Sequence, residues 1–549
     1  MIRRFILAVR TEWVLASILV LAALLRIAGI GYGLPQMVVS DEPPFTLTAL
    51  QMLESRTLIP ALEPEAFRAV LLYPLYLSYV LLVPFSVILS FKYALFEGGA
   101  ELFRATLLGD LSAFFLAARL VSVALGVFSV YLLYRIAESL FKSNAAALLS
   151  SFLLATSISH LSLSMVGRHW IPTMLIYLVV LFALTRSRWS FRRRYVLALT
   201  AAGIGMGFST ISILSLPLIG IYYLVFDAVS PARTLADSRV FLGGGALFAG
   251  LAAIPLLLYR GGNAFLGSVS VYEPKSLLEL VASPAVALSM HAFSETVLIA
   301  LFLIGLAALI TRIPRAAALI ALWSLAYIAT LYALFRFEAR FMLPLVPFYA
   351  LAGGYALSLV WSRRTAVIVC VVLLVPLAAS LRVAELAVRN DTRSLAREWV
   401  LASLGPEDRV LVYVAGMRVP TSPEAVEELR ALDLGLVRQT DQADVIRGNE
   451  GAPHVLNNLS AIPADDAFFR DLPSYARAEG YEYLVLGPEY AEGAARRALE
   501  EMTEEAELLE RFEGFGRDMS VADSAFMRPL PELFARRNFG PTIEIYRLR

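Results

Sequence analysis

Two carboxylates stand side by side in Ser40-Asp41-Glu42-Pro43-Pro44, directly after the first long apolar run. Pro43 biases Glu42 towards extended backbone and can itself open the next helix, so the pair sits on a fixed turn. Neighbouring residues on regular structure point in different directions, which gives Asp41 and Glu42 separate roles. A carboxylate fixed in this way can take a proton as general base. The alternative is an acidic helix start that only satisfies the helix dipole. A second constellation is Arg336-Phe337-Glu338-Ala339-Arg340-Phe341-Met342-Leu343-Pro344, at the mouth of a late apolar run. Arg336 and Arg340 are one helical turn apart and can present one cationic face. With Glu338 orienting Arg340, Arg340 can bind a phosphate through its planar set of donors. The alternative makes both arginines interfacial anchors whose charged ends reach towards water.

Other chemistry is thin. The lone cysteine, Cys370, lies inside an apolar run, which excludes an internal disulfide and a cysteine metal site. His160 and His291 have no H-x-x-x-H companion, and His454 reads as a surface-loop residue. No metal site and no required cofactor are expected. No G-x-G-x-x-G follows a strand, so a dinucleotide site has no support.

The elements that must position these residues are set by composition. Of 549 residues 58% are hydrophobic and only 17% charged. A soluble globular chain carries roughly a quarter charged residues, so a purely soluble enzyme and a disordered protein are both excluded. Up to residue 388 there are 28 Lys and Arg against 17 Asp and Glu, and beyond it 19 against 29. A basic apolar body, 1–388, is thus expected to carry an acidic tail domain, 389–549, and nothing points to nucleic acid.

The run Trp13–Ile30 follows Arg3, Arg4 and Arg10 and reads as a retained signal anchor with its N-terminus in the cytoplasm. Further runs near 118–141, 144–165, 170–185, 195–211, 213–228, 240–259, 295–311, 316–335, 341–361 and 365–384 predict about eleven crossings of a polytopic α-helical membrane protein. Alternate threading puts Lys142, Arg186, Arg188, Arg192–Arg194, Arg233, Arg239, Arg312, Arg315, Arg363 and Arg364 in the cytoplasm, as the positive-inside rule requires, and leaves the tail outside. Two long outer loops, near 31–117 and 260–294, place chemistry on the outer face. The run 70–96 either pairs with 105–117 as two extra crossings, giving thirteen, or lies along the outer face as an amphipathic helix broken by Pro74 and Pro84; the second is favoured. In the tail, Arg409–Val414, Tyr483–Leu486 and Thr542–Leu548 predict strands, and Ser394–Leu404 and Glu492–Phe512 predict helices, of a small extracytoplasmic α/β domain.

The Asp41-Glu42 pair, Leu72-Tyr73-Pro74-Leu75-Tyr76, Arg119-Leu120-Val121-Ser122 and Glu338-Ala339-Arg340-Phe341-Met342-Leu343-Pro344 occur in an order that resembles the GT-C glycosyltransferases. The likeness is greatest to the protein O-mannosyltransferase group and the bacterial aminoarabinose transferases, and Asp391-Thr392-Arg393 with Gly540-Pro541-Thr542 also look like bacterial members. The resemblance implies an inverting membrane enzyme that moves one sugar from a polyprenyl phosphate to an acceptor hydroxyl of a protein, lipid or glycan. It implies a site outside a prokaryotic cytoplasmic membrane. It maps the base onto Asp41, with Glu42 beside it, and the phosphate-binding arginine onto Arg340. Glu338, Arg336, Arg119 and Tyr73 join as substrate-binding candidates. The chain departs from the pattern at Val166-Gly167-Arg168-His169-Trp170, where many relatives carry an acid, and Arg168 and His169 are candidates for a replacing cationic function. The reading from another class is a transporter or flippase, whose inverted repeats are not evident.

Overall fold

The computed structural model describes the chain except for residues 1, 37, 40, 41, 68, 69, 71, 72, 229, 230, 259–275, 293, 335–337, 363, 433, 449, 450, 515–528 and 549. The body is helical: α1 (Ile2–Ala28), α2 (Pro43–Ser55), α3 (Pro64–Phe67), α4 (Tyr76–Ala94), α5 (Ala100–Gly109), α6 (Ser112–Phe141), α7 (Asn144–Ala155), α8 (Ile158–Ser164), α9 (Trp170–Leu184), α10 (Phe191–Gly205), α11 (Ser215–Tyr222), α12 (Pro231–Leu258), α13 (Leu277–Ala292), α14 (Thr296–Arg312), α15 (Pro314–Leu334), α16 (Val346–Val360) and α17 (Ala366–Val388). Among the described residues eight helices are long and apolar enough to cross a membrane, or nine if the bent pair α7 and α8 is one span. The chain is a multi-pass membrane protein. All eleven expected runs are helical, but α9, α10 and α14 have only 15, 15 and 17 residues, short of the roughly 20 that a straight span needs. The expected outer loop 260–294 contains α13, which packs on α15.

The run 105–117 is no extra crossing. Asp110 accepts a hydrogen bond from the Ser112 amide at 2.8 Å, and from there α6 continues unbroken for 30 residues. Helix α4 has 19 predominantly apolar residues and is continuous through Pro84, which corrects the expected break there. Its first half packs at the end of the bundle where α10 stops and α6 starts. The Tyr76 amide donates to the Gly207 carbonyl at 2.9 Å, and Phe85, nine residues on, meets Phe114 in the first turn of α6. Helix α5, which follows, pairs Arg104 with Glu54 at the end of α2 and packs against the tail. Helix α4 thus packs against the start of α6 and the end of α10, and by length and composition it is also one of the eight helices able to span.

The bend of 58° between α7 and α8 shows how a broken span satisfies its backbone. Freed amides and carbonyls in an apolar interior need partners from other segments. Ser157 caps α8 and donates its own hydroxyl to Glu295 at 2.6 Å. Glu295 also accepts from the Ser159 amide at 2.9 Å, and Ser380 donates to the Thr156 carbonyl at 2.6 Å. His160, inside α8, is fully buried and faces the guanidinium of Arg26 across 2.6 Å.

The tail contains a five-stranded sheet of β1 (Arg409–Tyr413), β2 (His454–Leu456), β3 (Tyr483–Leu486), β4 (Glu507–Phe512) and β5 (Ile543–Arg547), in the order β2-β1-β3-β5-β4. Strand β1 is parallel to β2 and β3, while β5 is antiparallel to β3 and β4. Successive side chains enter opposite faces, and both faces are buried. Leu411, Tyr413, Leu484 and Leu486 enter one apolar cluster; Val410, Val412, Val485 and Ile545 enter another. The tail helices are α18 (Thr392–Ser403), α19 (Pro423–Ala431), α20 (Gln439–Arg447), α21 (Phe468–Ala478), α22 (Gly493–Thr503) and α23 (Leu530–Ala535). Helices α18, α19, α21 and α22 pack on the sheet, whereas α20 packs on α5 of the body and α23 on α17. Two expectations are corrected. The helix expected over Glu492–Phe512 ends at Thr503 and its remainder is β4, and His454 lies in a buried strand bonded to Glu428 at 2.7 Å.

Candidate active site

The chain leaves α1 through a series of turns, residues 29–36, before reaching the carboxylate pair. Gly33 adopts φ +67°, where a side chain would strain the backbone and strike Val38. Asp41 lies outside the described residues. Glu42 immediately precedes α2, with Pro43 and Pro44 in the first turn, and it is fully buried.

A charge placed there needs a partner, and Arg119 of α6 supplies it. Arg119 Nε donates to Glu42 Oε1 at 2.8 Å and Nη2 to Oε2 at 2.7 Å, a two-pronged pair with both side chains fully buried. The third nitrogen, Nη1, donates to the carbonyls of Ile30 and Tyr32 at 2.8 and 2.7 Å. One guanidinium thus fixes the exit of α1 and the start of α2 together. Glu42 Oε1 accepts a third bond, from the Gly167 amide at 2.6 Å. A Cβ at Gly167 would lie 2.8 Å from Ala118 and 3.1 Å from that oxygen, so only glycine lets the 165–169 turn approach this closely.

Arg168 and His169 follow on the same turn and are both buried. A line of rings begins at His169, with Phe45 at 5.3 Å, Tyr73 at 5.2 Å and Trp170 at 4.5 Å. Phe45 and Tyr73 stack at 5.0 Å, and Trp170 meets Phe341 at 4.9 Å. Beside Phe341 is Arg340, paired with Glu338 at 2.7 Å and largely buried. The 3-10 turn Ala339–Leu345 that carries it is pinned where the Tyr327 hydroxyl donates to the Phe341 carbonyl at 2.6 Å. Burial, and then the charges of Arg168 and Arg340, hold the pKa of His169 well below the usual histidine range. The imidazole is therefore neutral at neutral pH, and positive charge near it comes from arginine.

The structure thus brings Glu42, Arg119, Tyr73, Arg168, His169, Glu338 and Arg340 into one region from segments up to 298 residues apart (340 minus 42). Arg336, like Asp41, lies outside the described residues. Sequence reading missed Phe45, Trp170 and Phe341 as members of one aromatic wall, and Gly167 as the amide that meets Glu42. Their only signal was membership of stretches quoted for other residues. Among the described residues no group of three or more His, Cys, Asp or Glu side chains is placed to hold a metal ion.

Residues 103–259 match the dolichyl-phosphate-mannose-protein mannosyltransferase family. That segment runs from α5 through α12 and includes Arg119 and the 165–169 turn, so the likeness to the GT-C glycosyltransferases read from the sequence has independent support. Among solved structures the chain is similar to ArnT from Cupriavidus metallidurans in the apo state, at 12% identity over 98% of each chain with a TM-score of 0.49. The same protein bound to undecaprenyl phosphate gives a TM-score of 0.47 at 12% identity over 98% of each chain. An oligosaccharyltransferase from Archaeoglobus fulgidus is 13% identical over 89% of this chain and 72% of that one, with a TM-score of 0.45. No curated protein matches this chain in sequence.

Proposed function

We propose that this protein is an inverting GT-C glycosyltransferase that moves one sugar from a polyprenyl phosphate to an acceptor hydroxyl. The observation that carries the reading is the meeting of three remote segments. The turn at Glu42, the 165–169 turn and the Glu338-Arg340 pair converge along one aromatic wall, and the middle of these lies within the residues matched by the family.

In a single displacement Asp41 takes the proton from the acceptor hydroxyl as its oxygen attacks the anomeric carbon. The bond from that carbon to the phosphate oxygen breaks, and its electron pair leaves with the polyprenyl phosphate. Arg340 stabilises the charge that develops there, held in direction by Glu338. Arg168 lends further positive charge, and neutral His169 with Tyr73, Phe45 and Trp170 offers ring faces against which a sugar or an isoprenoid can pack. Glu42 takes no proton. Its oxygens are engaged by Arg119 and Gly167, and its role is to position the turn that bears Asp41. The site belongs on the outer face of a prokaryotic cytoplasmic membrane, where the arginine-rich loops leave it.

Incubating the purified protein in detergent with a panel of polyprenyl-phosphate sugars and protein, lipid and glycan acceptors, with mass spectrometry of the products, tests this. Donor-dependent glycosylation is expected. Movement of a lipid-linked sugar across vesicles without transfer would overturn the reading in favour of a transporter.

A further inference from the structure

The tail is fastened to the body at the stretch that leads into the carboxylate pair. Tyr32, buried at the exit of α1, donates its hydroxyl to Asp391 Oδ2 at 2.5 Å, and its ring meets Phe539 edge-on at 5.5 Å. Asp391 is fully buried and is also held from within the tail. It caps α18 through the Arg393 amide at 2.9 Å and accepts from the Arg393 guanidinium at 3.3 Å. Arg393 in turn donates to the Ala415 carbonyl at 2.9 Å and to the Tyr490 hydroxyl at 3.1 Å. The Thr392 hydroxyl donates to the Pro541 carbonyl at 2.8 Å, so the two tail stretches singled out in the sequence, 391–393 and 540–542, are neighbours here.

Four residues beyond Tyr32 is a second tie. The Arg418 amide donates to Gln36 Oε1 at 2.8 Å, and the Arg418 side chain is braced by Asp441 at 3.1 Å and by Asp444. Both of these acids are fully buried.

Tyr32 belongs to two networks at once. Its carbonyl accepts from the arginine that holds Glu42, and its hydroxyl is bonded to the tail. A shift of the tail is therefore carried to the Glu42 turn through one residue and one guanidinium. We infer that the tail domain positions the catalytic turn, with Tyr32 as the positioning residue and Gln36 as its support. This rests on the function proposed above. The tail then does more than cover the site: its docking sets the geometry of residues 29–36 and, through Arg119, of Glu42.

The test uses the full chain with Tyr32→Phe, which keeps the ring against Phe539 and removes only the hydroxyl, and with Gln36→Leu. Hydrogen exchange at residues 33–42 and transfer kinetics are read together. A hydrogen bond to a charged group governs roughly a tenfold effect or more, so exchange at 33–42 should rise about tenfold in Tyr32→Phe and further in the double variant. Exchange in strand β1 should not change, turnover should fall roughly threefold to tenfold, and the donor KM should stay within about twofold. Unchanged exchange at 33–42 in both variants overturns the clamp. Faster exchange with unchanged turnover overturns the positioning role. If the parent transfers no sugar from any donor, the proposed activity fails, and the exchange measurement still decides the clamp.

Discussion

Glu42→Gln isolates the buried ion pair from any catalytic effect of Asp41. The amide keeps an oxygen that can accept from the Gly167 amide, but its NH2 group must then face the Arg119 Nη2 donor, now 2.7 Å from an acceptor. Arg119 retains its two carbonyl partners and a neutral acceptor for Nε, but loses the Nη2 bond and the carboxylate charge in a site with no exposure on either side chain. Breaking such a pair by removing one partner costs about 3 to 5 kcal/mol, because the remaining charge is buried uncompensated. Arg119→Met should cost a similar amount, leaving the Glu42 carboxylate and the Ile30 and Tyr32 carbonyls without this donor. If each single cost is mainly the stranded charge, the double variant should cost less than the sum by at least 1 kcal/mol, a coupling within the range of contacting residues. Equilibrium unfolding of the three variants in mixed micelles completes the cycle. Single costs below about 0.5 kcal/mol, or strictly additive ones, would refute a buried clamp, since that is the behaviour of an exposed pair.

Asp41→Asn should lower turnover by about 10² to 10⁴ with folding and donor binding largely intact, whereas turnover at the parental rate removes Asp41 as the base. Arg340→Ala should weaken binding of a non-hydrolysable polyprenyl-phosphonate sugar and slow the chemical step, and Arg340→Lys should recover only part of either; equal affinities in a titration would sink the phosphate role. Transfer should survive exhaustive chelation, because Glu42 is engaged by Arg119 and Gly167 and is not free to ligate a cation; complete loss rescued by magnesium or manganese would contradict this. The tail should loosen in acid through Glu428. Burial alone would raise its pKa, but hydrogen bonds from His454, Tyr475 and Tyr481 and the charge of Arg409 outweigh burial and lower it to about 2. A depressed carboxylate pKa stabilises above the unfolded value of about 4.3 and loses that contribution as pH falls towards 2, here on the order of 2 to 3 kcal/mol. The protection factor of β1 amides, the exchange rate corrected for its intrinsic dependence on pH, should fall between pH 6 and pH 3 in the parent and much less in Glu428→Gln.

The spans were legible because an apolar run of the right length has few alternatives to a helix, as Ser112–Phe141 and Pro314–Leu334 illustrate. Strands β1 and β3 were legible because both their faces are buried and their sequences, after Arg409, are continuously apolar. Strand β4 was not: Glu507–Phe512 carries three charges on an edge with a register shift between Leu508 and Glu510, so its pattern resembles the end of the preceding helix. Three residues at His454–Leu456 are too few to show any period. At the site, residue type made Asp41, Glu42 and Arg340 candidates, because unpaired charge beside a span is costly and needs a reason. Contacts over long separations were beyond reach. Nothing in one sequence says that Arg119 grips Glu42 across 77 residues or that Tyr32 reaches Asp391 across 359.

The stereochemistry of a single transfer tests the central claim most directly. With a polyprenyl-phosphate sugar of defined anomeric configuration and an acceptor alcohol, proton NMR of the isolated product reads the configuration of the new bond. One displacement by an acceptor whose proton goes to Asp41 predicts complete inversion in the parent and no measurable product from Asp41→Asn in the same time. Retention of configuration, or equal product from the two proteins, would contradict the account.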